Sequence, residues 1–90
     1  MKWKVKFSSQ AEKYYYKLPA KIREHIKNEL TNLSDLPFQL SHPEVKSLIG
    51  KLKGFYRLRV GKYRIIFGVL IDEKIIAVVN VYPRGDVYKK

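Results

Sequence analysis

The sequence predicts an α+β fold: one small domain over residues 1–90, in which an N-terminal strand and a two-helix hairpin precede a three-stranded antiparallel meander. The helices are expected on one face of the sheet. Three observations predict this. The opening residues alternate polar and apolar at the two-residue period of a strand. The stretch that follows repeats its apolar residues at helical spacing. Beyond Gly54 the chain returns to alternation, broken by two short turns.

The first strand is Trp3-Lys4-Val5-Lys6-Phe7, which stops at Ser8-Ser9. Ser9, with Glu12 three residues on, has the form of a capping box, and Ala11, Tyr15 and Leu18 then share one helical face up to the Leu18-Pro19 boundary. Tyr14 and Tyr16 fall on its flanks, and the three consecutive tyrosines read as helix-core packing in preference to a base-stacking platform. Pro19 suits the start of a second helix. Its apolar stripe is Ile22, Ile26, Leu30 and Leu33, with Lys21, Arg23, Glu24, Lys27 and Glu29 mostly off the stripe. Residues 34–50, with Pro37, Pro43 and Gly50, read as an irregular connection holding one short helical turn.

The central hairpin carries the functional signal. In Tyr56-Arg57-Leu58-Arg59-Val60 the arginines share one face while Tyr56, Leu58 and Val60 share the other. Gly61-Lys62 fits a type II′ turn, and that register sets Arg59 opposite Arg64, Leu58 opposite Ile65 and Tyr56 opposite Phe67. For the last strand, a three-residue loop of Asp72-Glu73-Lys74 is expected to send Ile75, Ala77, Val79 and Val81 to the core. It sends Asn80, Tyr82 and Arg84 to the arginine face, which leaves no buried amide to satisfy.

Composition limits the chemistry. The 90 residues carry a formal net charge of +11, far beyond what solubility needs, which points to nucleic acid or an acidic protein as partner. From Lys46 to Ile71 there are seven basic side chains and no acid. Like charges set opposite each other weaken a sheet, so fold stability gives no reason to place Arg59 against Arg64; a polyanionic ligand does. The absence of cysteine removes disulfides and thiol nucleophiles. No run approaches a membrane span and the N-terminus has no signal-peptide core, so a cytoplasmic protein with no membrane association is expected. His25 and His42 belong to no ligand-spaced cluster, and no Gly-rich nucleotide loop is present, so neither a metal nor a cofactor is expected.

Guanidiniums bind phosphate bidentately and stabilise charge on a phosphoryl group in transfer. RNA brings its own nucleophile, the 2′-hydroxyl. Arg57, Arg59, Arg64 and Arg84 could therefore support metal-free RNA cleavage to a 2′,3′-cyclic phosphate, with Tyr88 orienting groups or moving a proton. Lys51, Lys53, Lys62 and Tyr82 are the further candidates for RNA contact.

These residues carry a resemblance. The opening strand and helical hairpin, Lys51-Leu52-Lys53-Gly54, Tyr56-Arg57-Leu58-Arg59, Gly61-Lys62-Tyr63-Arg64-Ile65-Ile66-Phe67 and the ending Val81-Tyr82-Pro83-Arg84-Gly85-Asp86-Val87-Tyr88 resemble the RelE/ParE superfamily of toxins from toxin-antitoxin modules, and most of all its RelE branch. The resemblance implies a RelE-like fold and a type II toxin that cleaves messenger RNA in the ribosomal A site. It implies catalytic roles for Arg57, Arg59, Arg64, Arg84 and Tyr88, a cognate antitoxin, and a toxin-antitoxin hetero-oligomer. One departure stands out: the RelE pattern has lysines where this chain has Arg57 and Arg59, and arginine does not give up its proton. Tyr88, with Lys53 behind it, is then the candidate proton acceptor. The pattern leaves two alternatives open, a ParE-like inhibitor of DNA gyrase with no chemistry of its own, and an inactive relative that binds only RNA or antitoxin.

Overall fold

The structure, a computed structural model, describes residues 3–37 and 39–83. In chain order it comprises β1 (Lys4–Phe7), α1 (Ser9–Tyr16), α2 (Ala20–Asp35), β2 (Val45–Ser47), β3 (Tyr56–Val60), β4 (Tyr63–Leu70) and β5 (Ile75–Pro83). The five strands form one sheet in the order β1-β5-β4-β3-β2, antiparallel except for the parallel β1–β5 pair. The expected α+β architecture is therefore present, with one strand more than the sequence indicates. That strand, β2, lies inside the stretch read as a connection, which also holds 3-10 turns at Gln39–Ser41 and Gly50–Leu52. No helix of the described residues is long and apolar enough to cross a membrane.

The first helix is capped one residue earlier than the sequence pattern indicates. Ser8, not Ser9, has the extended backbone of an N-cap (φ −66°, ψ 162°), and its hydroxyl accepts the Ala11 amide at 3.1 Å. Ser8 also closes β1, because its amide donates to the Val78 carbonyl at 2.8 Å. One residue thus ends a strand and starts a helix. Pro19 takes the N-cap position of α2, where its missing N–H costs nothing. The two helices are joined laterally where the Tyr15 hydroxyl donates to the Arg23 carbonyl at 3.1 Å.

The core lies between the helices and one sheet face. Ala11, Ile26, Leu30 and Leu33 are buried with Leu58, Ile65, Phe67, Ile76, Val78 and Val81, and Tyr56 stacks on Phe67 at 5.6 Å between ring centroids. Tyr15 joins this core against Phe7, at 5.1 Å, while Tyr14 and Tyr16 are exposed on its flanks.

The central hairpin has the expected register, with Arg59 opposite Arg64, Leu58 opposite Ile65 and Tyr56 opposite Phe67. Gly61 has φ +57° while Lys62 is not in the left-handed region, the combination that a type II′ turn requires. The last strand differs from expectation. The β4–β5 turn spans the four residues 71–74, with Lys74 at φ 56°, so that Leu70 pairs with Ile75. Ile76 and Val78 consequently face the core, and Ile75, Ala77 and Val79 do not. Between Ile66 and Phe67 the register then shifts, pairing Ile66 with Asn80 and Phe67 with Val78 and leaving Val79 as the extra residue of a bulge. Past the bulge the expected phase returns: Val81 is in the core and Asn80 and Tyr82 lie on the arginine face.

Candidate functional site

The helix-free face of the sheet is ordered by cross-strand register into two rows. One row runs Arg59, Arg64, Tyr82 across β3, β4 and β5; the other runs Lys46, Arg57, Ile66, Asn80 from β2 to β5. Glu44 extends the first row on the far side of Arg59, whose amide donates to the Glu44 carbonyl at 3.0 Å. The Arg59 Nε also donates to Glu44 Oε1 at 2.7 Å, a pair about half in solvent. This bond, ahead of the charges of Arg59 and Arg57, holds the Glu44 carboxyl below its ordinary range. The same bond raises the Arg59 guanidinium.

Above the rows lies a groove of about 960 Å³ whose lining includes Lys46, Lys51, Arg57, Arg59 and Arg64 and no acid among the described residues. Its other wall is Leu48, Ile49 and Leu52 from the segment after β2, and Ile49 is 88% exposed at the rim. Arg57 and Arg64 are half-buried, and Ile66 beside them is buried. On Tyr82 the hydroxyl accepts from the Asn80 side-chain amide, while Asn80 Oδ1 accepts the Val81 amide at 3.0 Å. These bonds hold two polar side chains at the bulged end of the groove.

Of the residues singled out in the sequence, Arg57, Arg59, Arg64, Lys51 and Tyr82 meet in this groove. Lys53 and Lys62 are exposed and lie outside its lining. Arg84 and Tyr88 fall outside the described residues. His25 is exposed on α2, and His42 is a structural residue of the loop before β2: its Nδ1 accepts the Glu44 amide at 3.0 Å and its Nε2 lies 3.3 Å from Glu29 Oε1. Among the described residues no three His, Cys, Asp or Glu side chains come together as a metal site. Sequence reasoning missed Glu44 and Lys46 as site neighbours because it missed β2. The available signals were the alternation of Val45-Lys46-Ser47 and the position of Glu44 as the last acid before the basic run.

Known proteins share this fold. Residues 2–88 match the sequence model of a family described as the ParE toxin of the type II toxin-antitoxin system parDE. A curated relative from Methanocaldococcus jannaschii designated toxin RelE1 is 32% identical over 92 residues, covering 99% of this chain and 98% of its own length. The chain belongs to the RelE/ParE toxin superfamily. Among solved structures, the archaeal RelE-RelB complex from Pyrococcus horikoshii matches at TM-score 0.78 and 29% identity, over 96% of this chain and 99% of that one. The RelBE2 toxin-antitoxin complex of Mycobacterium tuberculosis gives the same TM-score at 22% identity, over 93% of this chain and 100% of that one, a likeness of fold. The two-helix, five-stranded domain is therefore the RelE fold, and the protein is a toxin of that superfamily.

Proposed function

We propose that this toxin is a ribosome-dependent endoribonuclease that cuts messenger RNA in the decoding site and so inhibits translation. The observation that carries the reading is the groove in which Arg57, Arg59 and Arg64 stand together with Lys46 and Lys51 and, among the described residues, no acid lines the wall. Such a surface suits a scissile phosphate. The RNA 2′-oxygen attacks phosphorus, its proton passes to a base, and the 5′-oxygen of the next nucleotide leaves and takes up a proton. The products are a 2′,3′-cyclic phosphate and a 5′-hydroxyl. The 2′-hydroxyl is an internal nucleophile, so the protein has only to align it and to neutralise the charge that grows on the phosphoryl oxygens. In this reading Arg57, Arg59 and Arg64 supply the neutralising charge. Arg84 and Tyr88, assigned by resemblance, complete the set, with Tyr88 as proton acceptor or donor. The ribosome supplies the substrate orientation that an open sheet face lacks. The toxin works in the cytoplasm, and an antitoxin with an acidic amphipathic segment covers and silences the basic face.

The test is primer extension on a defined messenger in a purified translation system, with and without ribosomes. Wild type is expected to cut in register with the decoding site, and Arg64→Ala to cut on the order of 10²-fold more slowly, as when one charge-stabilising donor is removed. The variant should stay folded, because Arg64 stands on the groove face of the sheet and outside the core, and its removal also lifts a like-charge cross-strand contact. An intact messenger, with protein shown to be folded, rejects the proposal. The matching family model carries the ParE description, which favours a second reading: inhibition of DNA gyrase without chemistry. A supercoiling assay on the same preparation decides between them.

A further inference from the structure

Glu44 is the one acid in the first row of the basic face, and its loop holds it there. The Glu44 amide donates to His42 Nδ1 at 3.0 Å, which leaves the neutral ring's proton on Nε2, facing Glu29 Oε1 of α2 at 3.3 Å. The Val45 amide donates to the His42 carbonyl and the His42 amide to the Gln39 carbonyl, both at 3.1 Å. A continuous set of hydrogen bonds thus runs from α2 through His42 and Glu44 to Arg59. At its end Arg59 is flanked by two neighbours of opposite sign, Glu44 on one side and Arg64 on the other.

We infer that Glu44 is a positioning residue for Arg59: by taking its Nε it draws the guanidinium away from Arg64 and presents the terminal nitrogens to a phosphate. Arg59 and Arg64 face each other across β3 and β4, and without a counter-charge their guanidiniums repel. The bond to the carboxylate is made through Nε, and a guanidinium held there can still turn its two-pronged end to a phosphoryl group. A carboxylate so placed has two effects of opposite sign. It fixes the arginine for the transition state, and it repels the RNA backbone in the ground state. This inference rests on the groove's reading as a phosphate site.

The experiment is a double-mutant cycle of Glu44→Ala and Arg59→Ala, with Glu44→Gln as the conservative variant. Two readouts are taken: kcat and KM for messenger cutting on ribosomes, and binding of a single-stranded RNA oligonucleotide made uncleavable by a 2′-deoxy residue. Glu44→Ala is expected to lower kcat roughly fivefold, the ceiling for a solvent-exposed pair, while KM falls as an acid leaves the basic face. Glu44→Gln, whose amide oxygen still accepts from Nε, should restore kcat to about half of wild type or better. Arg59→Ala should cost more when Glu44 is present than when it is absent. Equal costs, or a larger cost in the absence of Glu44, overturn the inference, since Glu44 then acts independently of Arg59 or competes with RNA for it. A wild type that cuts nothing defeats the proposed function, yet the sign of the coupling in oligonucleotide binding still decides whether Glu44 positions Arg59.

Discussion

The two faces of the sheet are one residue apart in every strand and obey different rules. On the helix-covered face, Leu58, Ile65, Phe67, Ile76 and Val78 are wholly buried, and each side chain is where the hydrophobic effect puts it. On the other face, Lys46 stands opposite Arg57 and Arg59 opposite Arg64, pairings that a sheet selected only for stability would avoid. The first face explains why the chain folds. The second has charges that folding does not ask for, a mismatch between stability and placement that the proposed phosphate-binding role would account for.

The largest effect should come from breaking the buried face. Phe67→Ala removes a fully buried ring that also stacks on Tyr56, and a loss of about 3–5 kcal/mol is expected, measured by urea denaturation. For a 90-residue domain of ordinary stability that is a large share of the whole. Cutting activity should fall only as the folded fraction falls. Arg64→Ala inverts the pattern, with activity lost and the melting midpoint kept. Were the two variants to lose activity and stability in parallel, the division of labour between the faces would be wrong.

Much of this division was legible in the sequence, for reasons that differ by element. The α2 stripe of Ile22, Ile26, Leu30 and Leu33 is a local periodic signal, and Ile26, Leu30 and Leu33 are indeed buried. The hairpin register was readable because Gly61-Lys62 leaves little choice of turn, and that register, added to the alternation that pairs Arg57 with Arg59, set Arg64 on the same face. β2 was not readable. It is three residues long, at the sheet edge, and follows Pro43, so its alternation is too short to stand out from a loop and it forms by pairing with β3. Glu44 was lost with it, because its closeness to Arg59 is a tertiary fact. The bulge at Val79 was hidden for a similar reason: it lies just past the residues of β5 that pair with β1 and shows only in the pairing of β5 with β4. The assignments of Arg84 and Tyr88 rest on resemblance alone, since both lie outside the described residues.

An intermediate effect should follow from disturbing the turn that both faces share. Gly61 sits at φ +57°, where a β-carbon is strained, although the space around it is open. Gly61→Ala should therefore cost about 1–2 kcal/mol through the backbone and not through a clash. A one-residue slip of the hairpin would move every side chain of β3 to the wrong face. Cross-strand amide contacts between Leu58 and Ile65, followed by NMR in the variant, separate the two results. Retained contacts with lowered stability give strain alone. Lost contacts would show that Gly61 fixes the register and not only the turn.

The smallest effect is electrostatic and sharpens the comparison at its edge. Glu44 titrates below its ordinary value chiefly because Arg59 donates to it. A group whose folded-state pKa is depressed contributes stability above its unfolded value, and that contribution is lost as pH falls through the folded value. The Glu44 part of the stability should thus be complete at neutral pH and disappear below the normal carboxylate range. It should also shrink with added salt, because both partners are about half in solvent. A carbon-detected NMR titration of the Glu44 carboxyl follows it directly. In Arg59→Ala the midpoint should rise toward the ordinary glutamate value, whereas Arg64→Ala, which leaves the Nε bond in place, should leave most of the depression. A midpoint that ignored Arg59 would mean that the charges of the groove as a whole, and not one oriented bond, hold the acid in place on the basic face.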